Sequence, residues 1–413
     1  MKPARMPPKT PAVVLGMFET GLAVGRSLGR AGVRVLGLDT LPKVGFRSRY
    51  IRASICPHPI EQEQAFIEGL LRLAADQPAP PALMITSDEF LLPVSRNRDA
   101  LGEAFRMNLP SPEIVESIAD KYLQHQLAER AGIPTPRTWV ARDRDQLLAI
   151  SEGIPFPAFI KGVQVTEWRR AMGDATKGIT VTTSAELEAA FEIVFSRGIS
   201  GLIQEVIPGP DTNHFKASCY VSASGETLLA FGLQKIRQQP AGFGFGCLVR
   251  SVDYADMLAL GKQFFSRIGY RGVGSVEFKL DPRDGQLKLI ELNPRFWQQN
   301  ALADRCGMNF ALVNYLDLVG ANPEPVLHYR PGVKWVNLVQ DLDSFREYHS
   351  RGELSFRQWL GSLRGEIVYS DLSWDDPLPG LHEMILNQLL RRGFRRLHSL
   401  VRPPPVAKAH DTQ

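Results

Sequence analysis

The chain has 413 residues, 44% hydrophobic and 22% charged, the composition of an ordinary soluble globular protein long enough for two or three domains. A net charge of +4, from 48 basic and 44 acidic residues, gives no overall field that argues for nucleic acid as the main partner. Four scattered cysteines without a Cys-x-x-Cys pair indicate neither a zinc site nor a disulfide framework and suit a reducing cytoplasm, and no run reaches the ~18 apolar residues of a spanning helix.

Met1 to Pro11 is basic and Pro-rich without the apolar core of a secretory signal, so residues 1–10 read as a flexible N-terminus. Ala12-Val13-Val14-Leu15-Gly16, a helical pattern through Leu22, Val24, Leu28 and Ala31, and Val33 to Asp39 then read as strand, helix, strand. The loop Gly16 to Gly21 lacks the Gly-x-Gly-x-x-Gly spacing that lets backbone approach a pyrophosphate, which argues against a nicotinamide-dependent oxidoreductase. A further strand, Ala82 to Thr86, ends at Ser87-Asp88-Glu89, where such sheets bind ligands. For Asp88, substrate contact and helix capping weigh equally. A break at Leu109-Pro110-Ser111-Pro112 closes this α/β domain, 11–109, and Ser111 and Pro112 suit a helix cap and first turn.

Asp120-Lys121 opens an amphipathic helix that ends in Gly132-Ile133-Pro134-Thr135-Pro136. Phe156 to Lys161 is an apolar strand ending in one lysine, and a buried strand keeps an ammonium only when an anion meets it. Gly173-Asp174-Ala175-Thr176-Lys177-Gly178 is small and polar, as a phosphate-covering loop or an ordinary turn would be. Leu202 to Val206 is another apolar strand, ended by Pro208-Gly209-Pro210-Asp211. Alternation makes Gln204 and Glu205 point oppositely, so only one faces any ligand. Lys235 and Arg237 alternate onto one face of a further strand, and a glycine-aromatic loop, Ala241 to Cys247, follows.

Two alternating runs come next, Gly272 to Lys279 and Leu289 to Trp297, joined by the turn formers Asp281-Pro282-Arg283-Asp284-Gly285. On such a hairpin Glu277, Glu291 and Asn293 converge. Glu291 and Asn293 share a face, and hard oxygen ligands suit Mg²⁺ bridging nucleotide phosphates. Arg295 continues that period as a fixed cation.

Glu277 and the string Glu291-Leu292-Asn293-Pro294-Arg295 resemble the metal-binding signature of ATP-grasp enzymes, and Asn293-Pro294-Arg295-Phe296-Trp297 with the stretch from Lys235 to Pro240 resembles their carboxylate-amine ligases, including D-aspartate ligase-like proteins. The resemblance covers residues 110–310 firmly. It implies an α/β fold: a Rossmann-like N-terminal domain, two α+β ATP-grasp subdomains within 110–320, a helical C-terminal extension over 321–402 and a flexible tail, 403–413. It implies ATP and Mg²⁺ (or Mn²⁺) as cofactors, with Glu277, Glu291 and Asn293 on metal, and Lys121 and Lys161 on the nucleotide. Gln204 or Glu205 with the Ile207 backbone would serve adenine, Gln204 being favoured and Glu205 left to solvent. Asp211 would take the ribose, and Arg295, Lys235 and Arg237 the transferring phosphoryl group.

The expected reaction is ADP-forming activation of a carboxylate as an acyl phosphate for attack by an amine. The alternative is a regulatory or scaffold protein that binds nucleotide without turnover, and it would be favoured by the loss of a metal ligand. Small-molecule substrates, a cytoplasmic location and a homodimer fit this reading. The basic run Arg391 to Arg396, before Arg402-Pro403-Pro404-Pro405, could touch an anionic membrane surface, although a solvated helix end is favoured. Leu342, Phe345 and Tyr348 fall at helical spacing and read as core.

Overall fold

The computed structural model describes residues 10–173, 178–242 and 244–385. The expected phosphate loop Asp174-Ala175-Thr176-Lys177, Phe243, the basic run Arg391 to Arg396 and both termini lie outside these.

Near-continuous apolar runs form the first sheet, β1 (Ala12–Leu15), β2 (Val35–Asp39), β3 (Ile51–Ile55) and β4 (Ala82–Ile85). All pairs are parallel, in the order β3-β2-β1-β4, and β1 is fully buried, as expected for a parallel sheet covered on both faces. The acid that ends β2 serves the loop after β1: Asp39 Oδ2 accepts the Met17 N–H at 2.6 Å. In the first turn of the following helix, Glu19–Arg30, a Cβ on Gly21 would lie 1.8 Å from the Gly16 carbonyl oxygen, so only glycine fits. The helix Asp88–Arg96 follows β4.

The second sheet is antiparallel, with β5 (Thr138–Ala141), β6 (Ala158–Gly162), β7 (Ile179–Val181) and β8 (Gly201–Glu205) in the order β5-β8-β6-β7. Its own core joins Ile160 and Ile203 to Phe191 and Val194 of the helix Ser184–Ser196. The third sheet has seven strands, β9 (His214–Val221), β10 (Thr227–Gln239), β11 (Phe245–Ser251), β12 (Gly272–Leu280), β13 (Leu287–Asn293), β14 (Lys334–Val336) and β15 (Ile367–Tyr369). Their order is β13-β12-β9-β10-β11-β14-β15. Strands β12 and β13 form the expected hairpin, its turn closed by Asp281 N–H to Gln286 C=O, 2.9 Å, and Gly285 N–H to Asp281 C=O, 2.8 Å.

One face of this sheet presents Ala217, Cys219, Val276 and Phe278 to Phe264 and Phe265 of the helix Ala255–Arg267. The other face changes character along its length. Tyr220, Phe231, Leu233 and Trp335 pack with Trp297, Phe310 and the first-sheet helix residues Leu22 and Leu28 in one apolar body. Beyond that body the same face is polar, and there the candidate site lies.

The C-terminal extension is more than helical. It adds β14 and β15 to the large sheet, so Trp335 is a buried strand residue, and it lays the helix Leu338–Ser350 against β10 and β11. Asp376 then straps the extension to the first sheet's layer, with Arg26 Nε at 2.9 Å and Ser48 Oγ at 2.6 Å. All four cysteines are unpaired, and among the described residues no helix is long and apolar enough to cross a membrane.

Candidate functional site

The polar half of the large sheet is organised by strand register. Glu291 on β13 lies directly opposite Glu277 on β12, and Glu277 opposite Lys216 on β9. Strict pairing places all three on one face. Lys216 Nζ meets Glu277 Oε1 at 3.0 Å, and Lys235 Nζ reaches from β10 to Oε2 at 2.9 Å. Burial alone would raise the Glu277 carboxyl, but Lys216 and Lys235 outweigh it and hold the group well below the usual range. Glu291 is paired with Lys121 at 2.7 Å and is likewise lowered on balance, burial and Glu277 opposing the lysine.

Lys121 is placed by its helix. Asp120 caps Lys121–Arg130 by accepting from the Tyr122 and Leu123 N–H groups, and the helix's first residue then faces Glu291. Lys161, near the end of β6, meets no carboxylate among the described residues; it reaches the Gln204 amide oxygen at 3.2 Å. Burial, then the neighbouring Lys121, draws its amine down to about 8. Arg295 holds Asp88 with Nε at 2.6 Å and Nη2 at 2.9 Å, and reaches Asn293 Oδ1 at 3.3 Å. Asp88 thus opens its helix and ties the first sheet's layer to the site. Five cations, Lys121, Lys161, Lys216, Lys235 and Arg295, face three carboxylates, Glu277, Glu291 and Asp88. The surplus of positive charge is what a polyanion requires.

The strand β8 divides its neighbours as alternation demands. Gln204 faces the cleft, bonded to Lys161 and, through Nε2, to Thr138 Oγ1 at 3.2 Å. Glu205 faces the other way, and it is buried rather than solvent-exposed. Arg137 Nε at 2.6 Å and Arg283 Nη2 at 2.9 Å occupy its oxygens. It is therefore removed from the adenine candidates. The Glu205 and Val206 N–H groups are taken by the Arg137 and Pro157 carbonyls. Ile207, buried just beyond, is the next backbone position that can face a base. Asp211 lies past the Pro-Gly-Pro turn and accepts from the Tyr348 hydroxyl and the Gly242 N–H, the latter at 3.2 Å.

One expectation is overturned. Lys235 and Arg237 do not share a face, because the β10–β11 register slips on both sides of Arg237. Arg237 turns to the helix Leu338–Ser350, where Asp341 accepts from its Nε at 2.8 Å and Nη2 at 3.0 Å, and both groups are buried. It is a structural anchor and takes no part in the cluster.

Three residues of the site escape the sequence reading. Lys216 carries the same signal as Lys161, a lone lysine in an apolar strand, and could have been found by it. His214, buried, has both ring nitrogens without a partner among the described residues, and burial with Lys235 and Lys279 nearby draws it down to about 3, so it stays neutral. Tyr348 reads as core by spacing.

No group of three His, Cys, Asp or Glu side chains among the described residues forms a self-sufficient metal cage. The donors present are two opposed carboxylates and the Asn293 amide beside a cluster of lysines. That set fits Mg²⁺, which is held by one or two carboxylates together with substrate phosphates rather than by an all-protein shell.

Two sheets enclosing a lysine-rich cluster over a carboxylate-bearing hairpin make a mixed α/β fold similar to that of ATP-grasp enzymes. The chain is similar in sequence and in fold to ATP-grasp enzymes. Residues 247–315 match the family described as carbamoyl-phosphate synthase L chain, ATP binding domain. The chain is 23% identical over 276 residues to D-aspartate ligase of Enterococcus faecium (strain Aus0004), covering 64% of this chain and 65% of that protein, slightly under two thirds of its length. Among solved structures it is similar to N5-carboxyaminoimidazole ribonucleotide synthetase in its ADP complex, with TM-score 0.61, 14% identity, and 80% and 82% of the two chains covered. It is also similar to L-amino acid ligase from Bacillus licheniformis, with TM-score 0.58, 16% identity, and 80% and 79% covered.

Proposed function

We propose that the chain is an ADP-forming ligase that activates a small carboxylate as an acyl phosphate and transfers the acyl group to an amine. The observation that carries this reading is the row Glu291, Glu277, Lys216 across adjacent strands, roofed by Lys121, Lys161, Lys235 and Arg295. The likeness to a D-aspartate ligase and to an L-amino acid ligase supports the same class.

In this reading Gln204 and the Ile207 backbone receive adenine, and Asp211 the ribose. Lys121 and Lys161 leave their present partners for phosphate oxygens. Glu277, Glu291 and Asn293 would hold Mg²⁺, which would neutralise charge on the phosphates. Lys235 and Arg295 stabilise the charge that develops on the transferring phosphoryl group. A carboxylate oxygen attacks the γ-phosphorus and ADP leaves. The amine nitrogen then attacks the acyl carbon, phosphate departs with one former carboxylate oxygen, and the nitrogen's proton passes to solvent. No side-chain nucleophile is needed; positioning and electrostatics suffice.

Amino acids and other small carboxylates are screened in pairs with amines for phosphate release, and the product is weighed by mass spectrometry. ADP and phosphate should form in equal amounts and require both substrates. Oxygen-18 placed in the carboxylate should appear in the released phosphate. Formation of AMP and pyrophosphate, with the label in AMP, would replace this mechanism with an adenylating one, and complete retention of the label in the product would replace it with a non-ligase reading.

A further inference from the structure

The helix Leu338–Ser350 lies outside the two sheets that enclose the nucleotide cleft, yet the polar residues of one of its faces reach toward the site. Asp341 holds Arg237, Ser344 Oγ donates to the Gln238 carbonyl at 2.8 Å, and Glu347 Oε2 accepts the Ala241 N–H at 3.0 Å. Tyr348 completes the set by donating to Asp211. Spacings of three and seven residues put Asp341, Ser344 and Tyr348 on one helical stripe, with Glu347 beside it. The stripe follows the end of β10 and the turn after it. Gln238, held from outside by Ser344, holds Lys235 Nζ from inside through Oε1 at 3.1 Å, and Lys235 is one of the two lysines on Glu277.

The contacts on Asp211 are unequal. Tyr348 and the Gly242 N–H both fall on Oδ2, and Oδ1 accepts no hydrogen bond among the described residues. Asp211 is only half-buried, so the residue is not closed off from an incoming ligand. A carboxylate anchored by one oxygen cannot rotate freely, and its other oxygen is presented in a fixed direction. Burial, then the bond to Asp211, raises the Tyr348 hydroxyl above its usual range, so it remains a donor at neutral pH.

We infer that Tyr348 is a positioning residue of the nucleotide site: it fixes Asp211 Oδ2 so that Oδ1 meets the ribose hydroxyls, which makes the C-terminal extension a working part of nucleotide binding. This rests on Asp211 being the ribose carboxylate, as proposed above. Tyr348 touches no nucleotide itself; it acts through Asp211.

The test uses the full chain and needs no knowledge of the ligase substrates. MgADP and the Mg²⁺ complex of 2′,3′-dideoxy-ADP are titrated calorimetrically into the wild type, Tyr348→Phe, Asp211→Asn and the double variant. Hydrogen bonds to a charged group lead us to expect a wild-type preference for MgADP of about tenfold or more, abolished in Asp211→Asn. Tyr348→Phe, which deletes one oxygen and keeps the ring, should lower that preference about threefold or more, and should add nothing in the Asp211→Asn background. If Asp211→Asn abolishes the preference while Tyr348→Phe weakens both nucleotides equally or neither, the positioning role is overturned and the ribose reading stands. If Asp211→Asn keeps the preference, the ribose reading itself fails, and the role of Tyr348 with it.

Discussion

Lys235 and Arg237 stand two residues apart on β10 and leave it on opposite faces. Lys235 points to Glu277 in the cleft and Arg237 to Asp341 behind the strand, because a register slip between them in the pairing with β11, followed by a second just after Arg237, breaks the alternation. The break lets one short segment serve the site with one cation and fasten the extension with the other.

Arg237→Met should therefore act on stability rather than on nucleotide binding. It strands the Asp341 carboxylate with only Trp359 Nε1, at 2.8 Å, and the weak Cys247 thiol as donors. Breaking a buried pair from one side costs about 3–5 kcal/mol. Denaturant unfolding should record a loss of that order, while any MgADP affinity measured on the folded fraction stays within a few-fold of wild type. A large, selective loss of affinity with unchanged stability would return Arg237 to the phosphate site.

Glu277→Gln and Glu291→Gln should differ in an informative way. Both should remove most of the Mg²⁺-dependent gain in ADP affinity and most turnover. Only Glu277→Gln leaves two buried lysines, Lys216 and Lys235, facing a neutral amide, so it should also be the less stable variant, whereas Glu291→Gln frees the half-buried Lys121. Equal Mg²⁺ dependence of ADP binding in wild type and Glu291→Gln would remove the metal assignment.

Lys161 should give nucleotide binding a pH signature. Its folded amine titrates near 8, below the ordinary 10.5, so between those values the unfolded chain binds more protons and the nucleotide-free protein gains stability as pH rises. Phosphate beside the amine should raise its pKa again. MgADP binding should then take up a proton above pH 8, and its affinity should fall between pH 8 and 10. Calorimetry in buffers of different ionisation enthalpy counts that proton, and Lys161→Ala should abolish the uptake and flatten the profile.

The hairpin was readable because each of its signals is local. Alternation put Glu291 and Asn293 on one face, turn formers marked the connection, and antiparallel pairing, with one register shift just after Glu277, then set Glu277 against Glu291. The same rule separated Gln204 from Glu205. It failed at Arg237, since a slip in register leaves no trace in the apolar pattern, and the partner that rewards it lies 104 residues further on. Glu205 was misplaced for a similar reason: Arg137 and Arg283 come from elements whose proximity is a property of the fold. Tyr348 satisfies the helical period expected of a core residue, and only the folded arrangement, 137 residues apart in sequence, brings it to Asp211.

Gln204 and Glu205 are adjacent letters with unequal freedom to change. Among the described residues the Gln204 side chain is bonded only to Lys161 and Thr138, so under the proposed function it can be exchanged to alter which base is read, at a cost confined to the cleft. Glu205 is a rivet between sheets, since Arg283 sits in the β12–β13 turn and binds Glu205 and Asp281 together. A substitution there loosens the hairpin that carries both Glu277 and Glu291. A library that randomises the base-reading strand should therefore vary position 204 and hold 205 fixed.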